Sequence, residues 1–269
     1  MGPLLIAIIT FFVMVTSGSA AAPDMTTILR QMKQVLEPTS TSTRKVVISS
    51  SFQNQTDQFV AGQARKMFPD GKRILWVMLE PESVRGTTYL FWERQKLPNV
   101  TLAYFPFIRR VREFMPVESY GRFFGTDFTF ADLGFVRVHN NYRLLGKEQF
   151  AGVPAYKVEE RFPQEKLFYS RILIWLSADT FLPLQREYYD PKGRLWKTEF
   201  FKEVVKINTI STPLLIQMKD RDGYSTDLKV TEVQYDVKIP DDLFNPDQLP
   251  QAINYPVWQT YGSGTGQSK

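Results

Sequence analysis

The sequence predicts a mainly β chain, an antiparallel meander of about a dozen strands opened by one amphipathic helix. Three observations carry that reading. Apolar and polar residues alternate with period two through most of the chain after Lys45. Asp-Gly or Pro-x-Gly chemistry interrupts the runs at Pro69–Lys72, Asp190–Gly193 and Asp220–Gly223, where hairpins reverse. Helical spacing of useful length occurs at the start, with one brief candidate later at TFADL, where Thr129 and Asp132 have capping-box spacing.

Along the chain, Leu4–Val15 (LLIAIITFFVMV) has the length of a signal-peptide core, and TSGSAAAP offers cleavage after Ala20, Ala21 or Ala22. No Lys or Arg precedes the run, so an uncleaved anchor is the rival reading. Residues 1–22 are read as a signal peptide, 23–250 as one folded domain, and 251–269, ending GSGTGQSK, as a flexible tail. Thr26–Leu36 sets Ile28, Leu29, Met32, Val35 and Leu36 on one helix face, with Asp24 or Thr26 as cap and Pro38 as terminator. A helix of about eleven residues is a rod of about 16 Å, too short to cover so many strands.

The strands run KVVISSSF, QFVAGQARKMF, KRILWVML, TTYLFWERQ, NVTLAYFPF, VRVHNNYRLLG, VPAYKVEERF, RILIWLS, LPLQREYYD, RLWKTEFFKEVVKI, PLLIQMKD and YSTDLKVTEVQYDVKI. Most alternate as half-solvated strands do. The last puts Leu228, Val230, Glu232 and Gln234 opposite Lys229, Thr231, Val233 and Tyr235. Lys72–Leu79 and Arg171–Ser177 are different, since both parities are apolar. Such strands sit either in a sandwich core or in a curved, partly closed sheet whose hollow is shared by the helix and an apolar ligand.

Composition narrows the function. The 269 residues include 21 Phe and no Cys, and the formal charge is +5. A mild positive excess suits anionic surfaces, but no RNP-like motif, zinc pair or basic helix points to nucleic acid. Absence of Cys removes thiol catalysis, Cys metal sites and an N-terminal lipid anchor. The one histidine, His139, has no G-x-S-x-G serine to serve, and no phosphate loop is present. Asp220 and Asp222 lack the remaining ligands of a calcium loop, and Asp241–Asp242 reads as capping of a final turn. The expectation is a non-enzyme without metal or cofactor. Asn54 and Asn99 open acceptor triplets for glycosylation.

FPFIRRVREF (Phe105–Phe114) is the densest charge cluster. Read as a strand, it places Arg110 and Arg112 on one face and Arg109 with Val111 on the other. The arginines either form a rim for anionic head groups or an acidic partner, or pair with Asp127 and Asp132. Together with RFFGTDFTFADL, which contributes Gly125, Asp127 and Asp132, this stretch resembles the central signature of the LolA-like outer-membrane lipoprotein-sorting family. EPESVRGTTYLFW, LLGKEQFAGVPAYKVEERFP, LSADTFLPLQREYYDPKGRL and YDVKIPDDLF are similar to the flanking family text, in order, over roughly residues 45–245. MPVESYG and the Gly-rich tail depart from it.

That resemblance implies a single strongly curved antiparallel sheet, a half-barrel wrapped around the N-terminal helix and a short central helix. It also implies a periplasmic carrier for the acyl chains of a lipid or lipoprotein, working beside an RND-type transporter. An accessory docking protein without its own ligand is the alternative. Candidates for the lining are Trp76, Met78, Leu90, Trp92, Ile174 and Leu176, although period alone does not say which strand face points inward.

Overall fold

The computed structural model describes residues 23–36, 38, 41–94, 97–115, 118, 120–133, 141–162 and 169–259; the expected signal segment and His139 lie outside them. Helix α1 (Met25–Leu36) begins where Asp24 caps it, its carboxylate accepting the Thr27 backbone N–H at 2.7 Å. Thirteen strands follow: β1 (Ser42–Phe52), β2 (Gln55–Phe68), β3 (Gly71–Glu80), β4 (Thr88–Arg94), β5 (Val100–Phe105), β6 (Arg110–Glu113), β7 (Asn141–Phe150), β8 (Val153–Arg161), β9 (Arg171–Ser177), β10 (Pro183–Tyr189), β11 (Leu195–Ile207), β12 (Ile210–Asp220) and β13 (Ser225–Tyr235). They form one sheet in the order β6-β5-β4-β3-β2-β1-β13-β12-β11-β10-β9-β8-β7.

Two meanders are therefore joined at mid-sheet by the antiparallel β1–β13 pair. Twist accumulated over so many strands bends the sheet, and it stays open because β6 and β7 are its two edges. This is the curved half-barrel, not a sandwich. The hairpins use the turn chemistry seen in the sequence. Asp190 Oδ1 accepts the N–H groups of Lys192 and Arg194, both at 2.9 Å, and Asp220 Oδ1 accepts those of Asp222 and Tyr224.

The doubly apolar strands are covered on each side by different material. On the concave face, Trp76 and Met78 of β3 and Ile172, Ile174 and Leu176 of β9 share one core with Ile28 of α1. On the convex face, Leu75, Val77 and Leu79 meet Leu243, Phe244, Leu249 and Trp258 from the chain after β13. A smaller convex patch joins Leu173 and Trp175 to Ala155. So the hollow accounts for one face only, and the C-terminal segment accounts for much of the other.

Several expectations change here. Residues 251–259, assigned from sequence to a flexible tail, are short helical turns ending in α2 (Pro256–Gln259), with Ala252 and Trp258 buried. Gly62 permits this docking: a Cβ there would lie 2.4 Å from the Trp258 ring, so only glycine lets the indole rest on β2. The TFADL stretch is a turn across residues 130–133, not a helix, although Thr129 and Asp132 do exchange the reciprocal capping bonds. Arg109 lies in the β5–β6 turn with φ of 51°, so it shares no strand face with Val111. In β13 the register against β1 slips by one at Thr231. A bulge of this kind turns the following residues over, which brings Val233 and Tyr235 to the concave side that Val230 already faces.

Trp258→Ala should lower the unfolding free energy by about 3 kcal/mol, the scale of a large aromatic removed from a packed site. A urea titration followed by circular dichroism measures it; an unchanged midpoint would mean the segment is a tail after all.

Candidate functional site

β6 and β7 are consecutive in sequence yet form opposite edges of the sheet, so the chain from 114 to 140 has to span from one to the other. Its described part crosses the concave face. Phe114, Phe123, Phe128 and Phe130 are buried there, against Trp76, Tyr89 and Phe91. Tyr89 is central: its ring lies 5.3 Å from Phe130 and 6.1 Å from Phe123, and Phe123 is also 6.1 Å from Trp76. Edge-on and tilted contacts of this spacing are the favoured arrangement for aromatic pairs.

The crossing segment turns back on itself at Phe124 and Gly125, both with positive φ (47° and 78°). Phe123 N–H then donates to Phe128 O at 2.8 Å and Thr126 N–H to Phe123 O at 2.9 Å. Glycine tolerates this backbone freely, and Phe124 is held in it by packing on Phe59 and Phe123. That is why the Phe-x-Gly-Thr-Asp-Phe motif has its composition.

Charged side chains tie the segment to the far half of the sheet. The Lys197 ammonium on β11 donates to Asp132 at 2.5 Å and to the Asp127 carbonyl at 3.0 Å. The Tyr169 hydroxyl donates to Asp132 at 2.9 Å, and Thr226 donates to Asp127 at 2.9 Å. Both side chains of the Lys197–Asp132 pair are 2% exposed. Alongside them on β10 and β11, Arg186 pairs with Glu199 at 3.3 Å and the Tyr188 hydroxyl donates to Glu199 at 2.7 Å. Burial pushes Glu199 upward and holds the Tyr169 and Tyr188 phenols well above their ordinary range. The concave face thus has an aromatic half, β3 to β5, and a half where buried charges neutralise one another.

Of the residues expected to line a hollow, Trp76, Met78, Ile174 and Leu176 stand on the concave face. Leu90 stands on the convex face beneath the C-terminal segment. Trp92, of the same parity, has the Arg73 guanidinium 4.0 Å from its ring. The three arginines of the cluster are divided too. Arg112 is paired with Glu118 at 2.8 Å, so Asp127 and Asp132 find their cations elsewhere, in Arg122 and Lys197. Arg109 and Arg110 are exposed at the β5–β6 hairpin, whose turn carries Phe107 at 84% exposure and Ile108 at 43%. Among the described residues, no group of three or more His, Cys, Asp or Glu side chains is placed to hold a metal.

Sequence reasoning missed Tyr89, Lys197, Arg186 and Glu199. The signal lay in parity: Lys197 and Glu199 alternate with Phe201 in LWKTEFF, and three buried positions in step within one strand include two charges.

A family model described as an uncharacterized protein matches residues 70–251. Among solved structures, a Vibrio parahaemolyticus domain assigned to outer membrane lipoprotein sorting is 21% identical with a TM-score of 0.76, covering 83% of this chain and 97% of that one. A DUF1329 family protein from Desulfovibrio piger is 27% identical with a TM-score of 0.75, covering 83% and 96%. A LolA superfamily protein from Nitrosomonas europaea is 20% identical with a TM-score of 0.66, covering 82% and 97%. No curated protein matches.

The tether carries a pH signature. Burial raises Asp127 from 3.8 to about 6. The folded state therefore holds a proton that the unfolded state has released between those values, and stability falls as pH rises through the window. Burial raises Glu199 in the same direction. Asp127→Asn should remove part of the decline, by about 2 kcal/mol at most. Urea midpoints at about pH 4.5 and about pH 7.5 test this; equal slopes in variant and parent would remove Asp127 as a cause.

Proposed function

The chain belongs to the family whose model matches residues 70–251 and has the LolA-superfamily fold; from that premise we propose that it is a non-enzymatic periplasmic carrier of the acyl chains of a lipid or lipoprotein. The single observation that carries this reading is the apolar part of the concave face, to which β1 to β5, β8, β9, β12 and β13 contribute. Each buried methylene is worth about 0.8 kcal/mol, so a chain of about sixteen carbons resists water by on the order of 12 kcal/mol. Crossing an aqueous compartment therefore needs shelter rather than chemistry. Trp76, Met78, Ile174 and Leu176 would contact the chain. Helix α1 buries Ile28 alone completely, which makes it the cover most readily lifted.

The signal-like residues 1–22 and the sorting role assigned to the Vibrio relative support the periplasmic setting. Delivery to the outer membrane is the corresponding direction.

A second reading, docking on an envelope partner, is favoured by the β5–β6 hairpin. A Phe at 84% exposure beside Ile108, Arg109 and Arg110 is a surface that a folded chain does not need for itself. An RND-type transporter is the partner that the sequence resemblance nominates. In its strict form this reading needs no ligand of the protein's own, which separates it from the carrier.

Protein purified from cell envelopes should co-extract acyl lipids, identified by mass spectrometry, and the emptied protein should bind a fluorescent fatty-acyl probe. An empty protein that also ignores the probe would end the carrier reading. Replacing Phe107 by Ser together with Arg109→Glu and Arg110→Glu should abolish co-purification with inner-membrane complexes. These residues are exposed, so stability should move by no more than about 0.5 kcal/mol per substitution and probe binding should be unchanged; retained co-purification would remove the hairpin as the docking element.

A further inference from the structure

One end of the concave face carries a cluster of cations in which two arginines have no carboxylate partner among the described residues. Arg44 on β1, Arg65 on β2 and Lys72 on β3 stand on three neighbouring strands. In the β1–β2 register Ser42 opposes Arg65 and Arg44 opposes Gln63, so the two arginines share the parity of the concave residues Val46 and Ala61. Lys72 has a partner: Glu93 on β4 accepts from it at 2.9 Å, and Lys33 of α1 approaches the same carboxylate at 3.6 Å. Among the described residues the arginines lack a carboxylate. Arg44 donates to the Tyr235 hydroxyl at 3.0 Å, which in turn bonds to Thr212, and no carboxylate pairs with it among the described residues.

Arg65 is the anomaly. It is 6% exposed, and neither its Nε nor its Nη2 has a hydrogen-bond partner among the described residues. An isolated buried guanidinium is among the costlier features a core can contain. Burial and the neighbouring Arg44 together push its pKa down to about 10, still high enough to remain charged at neutral pH. A cation kept at such a cost, next to a second one, is a site waiting for an anion.

Resting on the carrier reading above, we infer that Arg65 and Arg44 bind the anionic head group, a phosphate or carboxylate, of the same amphiphile whose acyl chain lies on the concave face. Continuity favours a lipid head group over a free anion. Along β2 and β3 the cationic positions Arg65 and Lys72 give way within one or two turns of the pleat to Ala61, Ile74, Trp76 and Met78 on the same side. The face therefore runs from charged to greasy along its strands, and a ligand with that polarity has one orientation. Its head lies near Ser42 and Tyr235, its tail toward Trp76.

The test is a tryptophan-fluorescence titration of the full chain, emptied of lipid, with palmitoyl lysophosphatidic acid and with the uncharged monopalmitoyl glycerol. The parent should bind the phosphate-bearing lipid at least about tenfold more tightly, the value of one charge-assisted hydrogen bond or ion pair. Arg65→Met should remove most of that preference while leaving the uncharged lipid unaffected. Its melting temperature should not fall, because the substitution deletes an unpaired buried charge and retains the stem's volume. Should Arg65→Met not fold, Arg44→Gln gives the second measurement, with partial loss of preference expected. Equal binding of both lipids by the parent, or a preference that survives both substitutions, overturns the inference and leaves the carrier reading intact. Displacement of the lysolipid by inorganic phosphate at matching concentration assigns the site to free anions and overturns the head-group assignment. Failure of both lipids to bind overturns the inference and the carrier reading together.

Discussion

The path of the chain between the two edge strands governs the interior. Because β6 and β7 are sequence neighbours at opposite rims, the connection has to pass from one to the other, and its described residues cross the concave face. This converts a bent sheet, which would otherwise present a trough of aromatic side chains to water, into a packed body. The crossing needs anchors at its far end, and those are ionic: Asp127 and Asp132 reach Thr226, Tyr169 and Lys197 on the opposite half. Apolar contacts alone would let the segment slide along a uniformly greasy wall. Buried pairs of matched charge have one satisfactory register, and removing one partner leaves the other uncompensated.

Much of this was legible in the residues, for reasons that can be stated. Hairpins at Asp190 and Asp220 were readable because a short side chain closes its own turn locally. The cap at Asp24 was readable for the same reason. The reciprocal bonds of Thr129 and Asp132 were visible in the spacing, yet they close a turn where a helix was expected, since a capping box specifies only the first turn. The apolar parity of KRILWVML was also visible, but what covers each face is a tertiary fact. Leu90 and Trp76 look alike in sequence and lie on opposite sides, one beneath the C-terminal segment and one in the hollow. The slip at Thr231 could not be read, because a bulge leaves the composition of its strand unchanged. Gly62 gave no hint of Trp258, since that contact joins positions far apart in the chain.

Polarity within the concave face is the least expected feature, and it bears on how specific any ligand would be. A hollow lined evenly by Phe and Leu ranks hydrocarbons by size and little else, since one methylene discriminates weakly. Charges placed at defined points do better. The neutralised cluster of Arg186, Glu199, Lys197 and Asp132 offers little to a ligand, because its partners are already close at hand. Arg65 and Arg44 differ in having none of opposite charge among the described residues, and they sit beyond the aromatic wall rather than within it.

The aromatic packing also bears on release. A carrier built around a rigid, dry void would hold an acyl chain by the whole of its transfer energy, and handing the chain onward would then be slow. Here the concave side chains are already in contact with the crossing segment and with Ile28 of α1. An incoming chain would replace phenyl and aliphatic contacts with methylene contacts of similar quality, so the exchange lies closer to balance than transfer from water does. Affinity then depends on the difference between the two packings and on the head group, both of which can be small. On the carrier reading proposed above, that combination would let a tight shelter also be a reversible one, because the described crossing segment already packs in the hollow.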